Sequence, residues 1–137
     1  SADPELAAES ALAIGYIQLR LKRLDSVLPD LAIAAEKGDA FVQYLAHLFR
    51  GRTLEQLGGT GDAASAYRAA LAALPRGQAA SMALAAVLHR TEQADAAIDV
   101  MTTSFASRPA EDPWREYGFG QFRHWTRYRD RMREAGR

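Results

Sequence analysis

A chain of 137 residues, 48% hydrophobic and 25% charged, has the makings of one soluble globular domain and excludes a disordered or collagen-like polymer. Its 17 basic side chains balance 17 acidic ones, so no global field draws it to nucleic acid or an anionic membrane. Cysteine is absent, which removes disulfides, thiol nucleophiles and cysteine-bound zinc or iron–sulfur centres while leaving the compartment open.

The chain begins Ser1-Ala2-Asp3-Pro4, with neither a starting methionine nor an apolar signal core, and is expected to be a processed or trimmed piece of something longer. From there apolar residues recur at helical spacing, as in Leu6, Ile14, Ile17 and Leu21, then Leu24, Leu28 and Leu31. No stretch alternates like a half-buried strand. Clusters of glycine, proline and N-cap residues punctuate the pattern and predict helices near 4–21, 24–37, 40–57, 62–74, 77–90 and 94–107, with shorter pieces near 113–118 and 122–134. Alanine fills 63–73 and 79–86, favouring helix and close helix approach. The expectation is all-α, the first six helices forming three antiparallel hairpins. Gly58-Gly59-Thr60-Gly61-Asp62 lacks the lysine of a P-loop and follows no strand, so it reads as a turn with Asp62 as the next N-cap. The longest apolar runs, such as Met82 to Leu88, fall far short of the roughly 18 to 20 residues that span a bilayer.

Residues of matching size recur 34 positions apart: Pro75 and Pro109, Gly51 and Ala85, Leu54 and Leu88, Ala63 and Ala97, Leu71 and Phe105. With the helix–turn–helix punctuation, this period resembles the tetratricopeptide repeat, whose pattern is W-x2-L-G-x2-Y, then A-x3-F, then P. The second unit matches with His47, Arg50, Gly51 and Leu54, then Ala63 and Tyr67, then Pro75. The third matches with Ser81, Leu84, Ala85 and Leu88, then Ala97 and Met101, then Pro109. A first unit reads Ala11, Ile14, Gly15 and Gln18, then Val27 and Leu31, its glycine 36 residues before Gly51. The resemblance covers about residues 8 to 111. No unit keeps the tryptophan, Arg50 replaces an apolar residue, and Gln18 an aromatic one.

The resemblance implies three hairpins, about 8–41, 44–77 and 78–111, stacked as a short right-handed superhelix and followed by a capping segment, 112–137. It also implies that Gly51, Ala85 and Gly15 face Ala63, Ala97 and Val27, where small side chains let helix axes close to about 8 Å. In the tail, Trp114, Tyr117 and Gly118 repeat the spacing that opens a unit. Phe122, Trp125, Tyr128 and Met132 then share one side of a helix with Arg123, Arg127 and Arg131 on another, as a cap over the last apolar face requires. Arginine among aromatics also suits single-stranded nucleic acid or a membrane surface, but Asp130 and Glu134 dilute the charge and neither is the expected partner.

By the same resemblance, the first helix of each unit lines a concave groove. The first unit would contribute Tyr16, Leu19 and Arg20 beside Glu9 and Leu12. The second adds Leu45, Leu48, Arg52, Glu55 and Gln56, and the third Met82, His89 and Arg90 beside Ala79 and Ala86. Apolar side chains flanked by Arg20, Arg52 and Arg90 suit an amphipathic helix or an extended acidic peptide. His47, His89 and His124 have no metal-ligand spacing and no serine stands in G-x-S-x-G, so no catalytic, metal or cofactor site is expected, and no enzyme. The resulting reading is a protein–protein interaction module that offers its groove to a peptide or helix of a partner protein. The alternative is a structural spacer or oligomerisation segment of a larger multidomain protein, with self-association as its signature.

Overall fold

The computed structural model describes residues 3–106, 112–118 and 129–134. Seven helices are found among them: α1 (Pro4–Arg20), α2 (Leu24–Lys37), α3 (Ala40–Gln56), α4 (Thr60–Ala73), α5 (Gln78–Arg90), α6 (Ala94–Ala106) and the short α7 (Pro113–Gly118). Residues 129–134 are also helical, and no strand occurs among the described residues. Each of the first five helices packs on the next, and α1 also lies against α3, giving hairpins in tandem as in a tetratricopeptide-like solenoid.

Local chemistry explains where these helices start. Asp3 accepts from the Glu5 amide at 3.0 Å with Pro4 at the first helical position, and Asp39 accepts from the Val42 amide at 3.1 Å. Each such cap satisfies an amide that the helix itself leaves unpaired. The α4 helix opens at Thr60, earlier than the sequence predicts, so its N-cap is Gly59 and not Asp62. Asp62 lies inside the first turn, where its negative charge still favours the helix dipole.

The repeat shows most directly in the turns. Lys22, Gly58 and Glu92 all have positive φ (60°, 85° and 59°), and they stand at equivalent points of the three hairpins. The following residue closes the same backbone bond each time: Arg23 to Gln18, Gly59 to Leu54 and Gln93 to Leu88, at 2.8–2.9 Å. This left-handed residue with a bond spanning the last helical turn is a Schellman-type stop. One turn geometry therefore recurs at steps of 36 and 34 residues, the period read from the sequence.

Inside the stack, Leu12, Val27, Leu31, Val42, Tyr44, Leu45, Leu48, Phe49, Ala63, Tyr67, Val87 and Leu88 form a contiguous, nearly solvent-free core. Burying each large apolar side chain contributes about 1.5–3 kcal/mol, so stability concentrates from α1 to α5. In α6 only Ala97 is buried. The helices approach closely at the glycines: a Cβ on Gly51 would overlap the Tyr67 ring, and one on Gly15 would come within 2.7 Å of Leu31. Tyr67 and Leu31, the large residues of the pattern, occupy the space that the glycines vacate.

The tail does not cover α6 in the described residues. Asp112, Trp114 and Tyr117 lie against α1, α3 and the start of α5, while Arg129 and Arg133 pair with acids of α1 and with Asp39. Of the helix expected over 122–134, residues 122–128 lie outside the described residues. The apolar side of Trp114 and Tyr117 finds a richer aromatic surface on Tyr16 and Phe49 than the alanine-lined α5–α6 face offers.

Candidate functional site

The side of the stack made by α1 and α3 carries Tyr16 and Phe49, whose ring centroids lie 5.0 Å apart. Both are buried, because the chain folds α7 back over them. The Trp114 ring meets Tyr16 and Phe49 edge-on at 5.8 and 5.4 Å, and Tyr117 meets them at 5.3 and 5.7 Å. Edge-to-face contacts set the positive rim of one ring on the negative face of another, each worth about 0.5–1.5 kcal/mol beyond the area buried. The Arg52 guanidinium stands 4.2 Å over the Trp114 ring, and Arg20 bonds the Tyr16 hydroxyl at 3.1 Å. Two cations thus flank a four-ring cluster.

Asp112 fixes the entry of this segment. Its Oδ1 accepts from the Trp114 amide at 2.8 Å, capping α7, whose first residue is Pro113. Its Oδ2 accepts from the Tyr44 hydroxyl and from the Ala79 amide, both at 2.7 Å. The Tyr44 oxygen in turn accepts from the Ala80 amide at 3.2 Å. The N-cap of α5 is Gly77, which has no side chain to offer, so the amides at the start of α5 are satisfied by Asp112 and Tyr44 from distant parts of the chain. A Cβ on Gly77 would overlap the Tyr44 ring. Burial first, then the charge and hydrogen bond of Asp112, push the Tyr44 phenol well above its ordinary range.

Beyond α7, the helical residues 129–134 lie over the start of α1. Arg129 pairs with Glu9 and, at 3.9 Å, with Glu5, while Arg133 pairs with Glu5 and with Asp39. The α1–α3 side of the stack therefore has an aromatic section and an acidic section, both covered by the chain's own tail.

The residues expected to line the groove divide into four groups. Tyr16, Arg20 and Arg52 are brought together, around Trp114 and Tyr117. Leu19, Leu45 and Leu48 offer no open surface, because the inward face of each helix carries them into the core. Glu55 accepts from the Tyr67 hydroxyl and pairs with Arg90, tying α3, α4 and α5 together, and Gln56 accepts from Lys22 at 3.0 Å. Burial and the Glu55 bond raise the Tyr67 phenol above its ordinary range. Met82 and His89 lie elsewhere, on an open cleft of about 1000 Å³ between α5 and α6 lined also by Ile98, Met101 and Phe105. Glu9 was expected on the groove, but Tyr44, Phe49, Asp112 and the acids Glu5 and Asp39 were not singled out as site residues from sequence. The Asp112-Pro113 pair, a capping residue before a helix-opening proline, and the spacing of Trp114, Tyr117 and Gly118 are the local signals that point to α7.

His47 is half-buried beside Arg50, and burial, then that positive neighbour, lowers its pKa. No cluster of three histidine, aspartate or glutamate side chains that could hold a metal occurs among the described residues. None of their helices is long and apolar enough to cross a membrane. Comparison with protein-family models, curated proteins and solved structures gave no match.

Proposed function

We propose that this chain is a protein-interaction module without chemistry of its own, whose α1–α3 groove receives a partner segment bearing an aromatic pair and spaced arginines, in exchange with its own residues 112–134. What supports the reading is the seating of Trp114 and Tyr117 on Tyr16 and Phe49 with Arg129 and Arg133 on Glu5, Glu9 and Asp39. The groove's acids favour a basic segment, the opposite sign from the acidic peptide suggested by Arg20, Arg52 and Arg90 alone. Exchange is feasible because α7 is too short to be stable by itself, and a segment with arginines at the same spacing would restore the pairs that the tail gives up.

A fluorescent peptide spanning residues 112–134 provides the test. It should bind the Trp114→Ala chain at least about tenfold more tightly than the wild type, whose own tail competes at an effective concentration of order millimolar. Adding Arg52→Glu to that variant should weaken capture again by removing the cation over the indole. Equal binding to wild type and Trp114→Ala, or none to either, would refute the groove reading.

A further inference from the structure

The two ends of the stack are the separated halves of the junction that recurs inside it. Within the chain, α2 presents Leu28, Leu31 and Ala35 to Ala46 and Arg50 of α3. At the next junction, α4 carries Ala64, Tyr67 and Leu71 in the same places and packs on α5, where Ala80 and Leu84 stand at the positions of Ala46 and Arg50. One further step places Ile98, Met101 and Phe105 of α6 in that position. Among the described residues no later helix packs closely on this face: Ile98 and Phe105 are 62% and 70% exposed, whereas Leu31 and Tyr67 are buried.

The opposite end shows the complementary half. Thr53 of α3, which follows Ala46 and Arg50 at helical spacing, and its equivalent Val87 of α5 are buried; their counterpart in α1 is Ile17, which is 51% exposed. Ile14 and Leu21 are exposed beside it. Terminal repeats of a soluble stack ordinarily carry polar outer faces, yet both ends here are apolar. The charges at these ends also match. Across the first internal junction Lys22 donates to Gln56 at 3.0 Å. The same two positions across an end-to-end junction fall to Glu92, in the last turn, and Arg20, near the end of α1, both exposed and of opposite sign.

We infer that a second copy of this chain occupies the α5–α6 cleft with its α1, its Ile14, Ile17 and Leu21 packing on Ile98, Met101 and Phe105, so that copies stack head to tail and continue the solenoid. Such a contact joins two different surfaces, so it does not close at a dimer. Met82 and His89, which line the cleft, then face the incoming helix.

Sedimentation velocity on the full chain tests this. The wild type should show a weight-average mass that climbs with concentration past twice its 15.0 kDa. Ile17→Glu and Ile98→Glu, both surface substitutions that should leave the circular dichroism unchanged, should each be monomeric alone. Mixed in equal amounts, they should form a dimer and nothing larger, because each keeps one competent end. Glu92→Arg should weaken assembly about tenfold, and Arg20→Glu in the same chain should restore it. A wild type that stays monomeric near millimolar concentration, a mixture of the two variants that stays monomeric, or assembly unaffected by either would overturn the inference. So would loss of another protein's binding on Ile98→Glu without any self-association.

Discussion

Replacing Asp112 with alanine removes one carboxylate from three donors at once: the Tyr44 hydroxyl and the Ala79 and Trp114 amides, at 2.7–2.8 Å. Hydrogen bonds to a charged acceptor contribute about 1.5–3 kcal/mol each, and stranding a buried donor incurs its full desolvation. Counting only the Tyr44 and Ala79 bonds at the lower figure gives about 3 kcal/mol. Loss of the α7 cap, worth about 0.5–2 kcal/mol, raises the total towards 5 kcal/mol. Against a domain stability of about 5–15 kcal/mol this is severe, and at roughly 3–5 °C per kcal/mol it corresponds to a melting point lower by about 10–20 °C. Asp112→Asn, which keeps one acceptor, should lose about half as much. Asp95→Ala, on the exposed first turn of α6, should cost under about 1 kcal/mol. The assay is thermal and urea unfolding by circular dichroism, with hydrogen exchange at Ala79 and Ala80 as the local reporter. An Asp112→Ala protein that melts within 2 °C of wild type, with those amides still protected, would refute the account of how α5 is capped.

Tyr44, Tyr67 and Tyr117 all titrate above the ordinary tyrosine range, chiefly through burial. A raised folded pKa means their contribution is complete below about pH 10 and is lost above it, at about 1.4 kcal/mol per tyrosine per pH unit. Urea midpoints from pH 8 to 11 should fall steeply past 10, and Tyr44→Phe should reduce that slope; a flat profile would contradict the burial. His47 titrates below its ordinary value, so its contribution is complete above about pH 6.5 and declines as the pH falls below it. His47→Gln should flatten the urea midpoint between pH 6.5 and 5, and an unchanged slope would count against it. Gly51→Val should cost about 1–3 kcal/mol or more by driving into the Tyr67 ring, while Gly61→Ala, in α4 with open space around it, should be neutral or stabilising by up to about 1 kcal/mol. Equal melting points for those two variants would contradict the seam.

The hairpins were legible because periodicity and punctuation are local signals. Leucines and isoleucines at helical spacing, interrupted at Gly58 or Pro75, specify helix ends without knowledge of what the helices touch. The turns at Lys22 and Glu92 were harder to read, since a left-handed residue is ordinarily announced by glycine, and here the charged side chains carry the positive φ. The tail was read as an apolar stripe capping the last hairpin, but an apolar stripe says that a face is covered and not by which neighbour. Its placement depends on Asp112 reaching Tyr44, 68 residues away, a contact that no window of sequence contains. Leu45 and Leu48 were offered as groove residues because one step of helical rotation, about 100°, separates an inner wall from a core.

With a single buried residue in α6 against eight in α3, the array has a firm middle and a frayed edge. In a nearest-neighbour chain of bricks, the brick with one neighbour opens first. Unfolding of an isolated copy would then run like a zipper from Ala106 towards α1, and whatever sits on the terminal brick would set the melting order of the whole molecule.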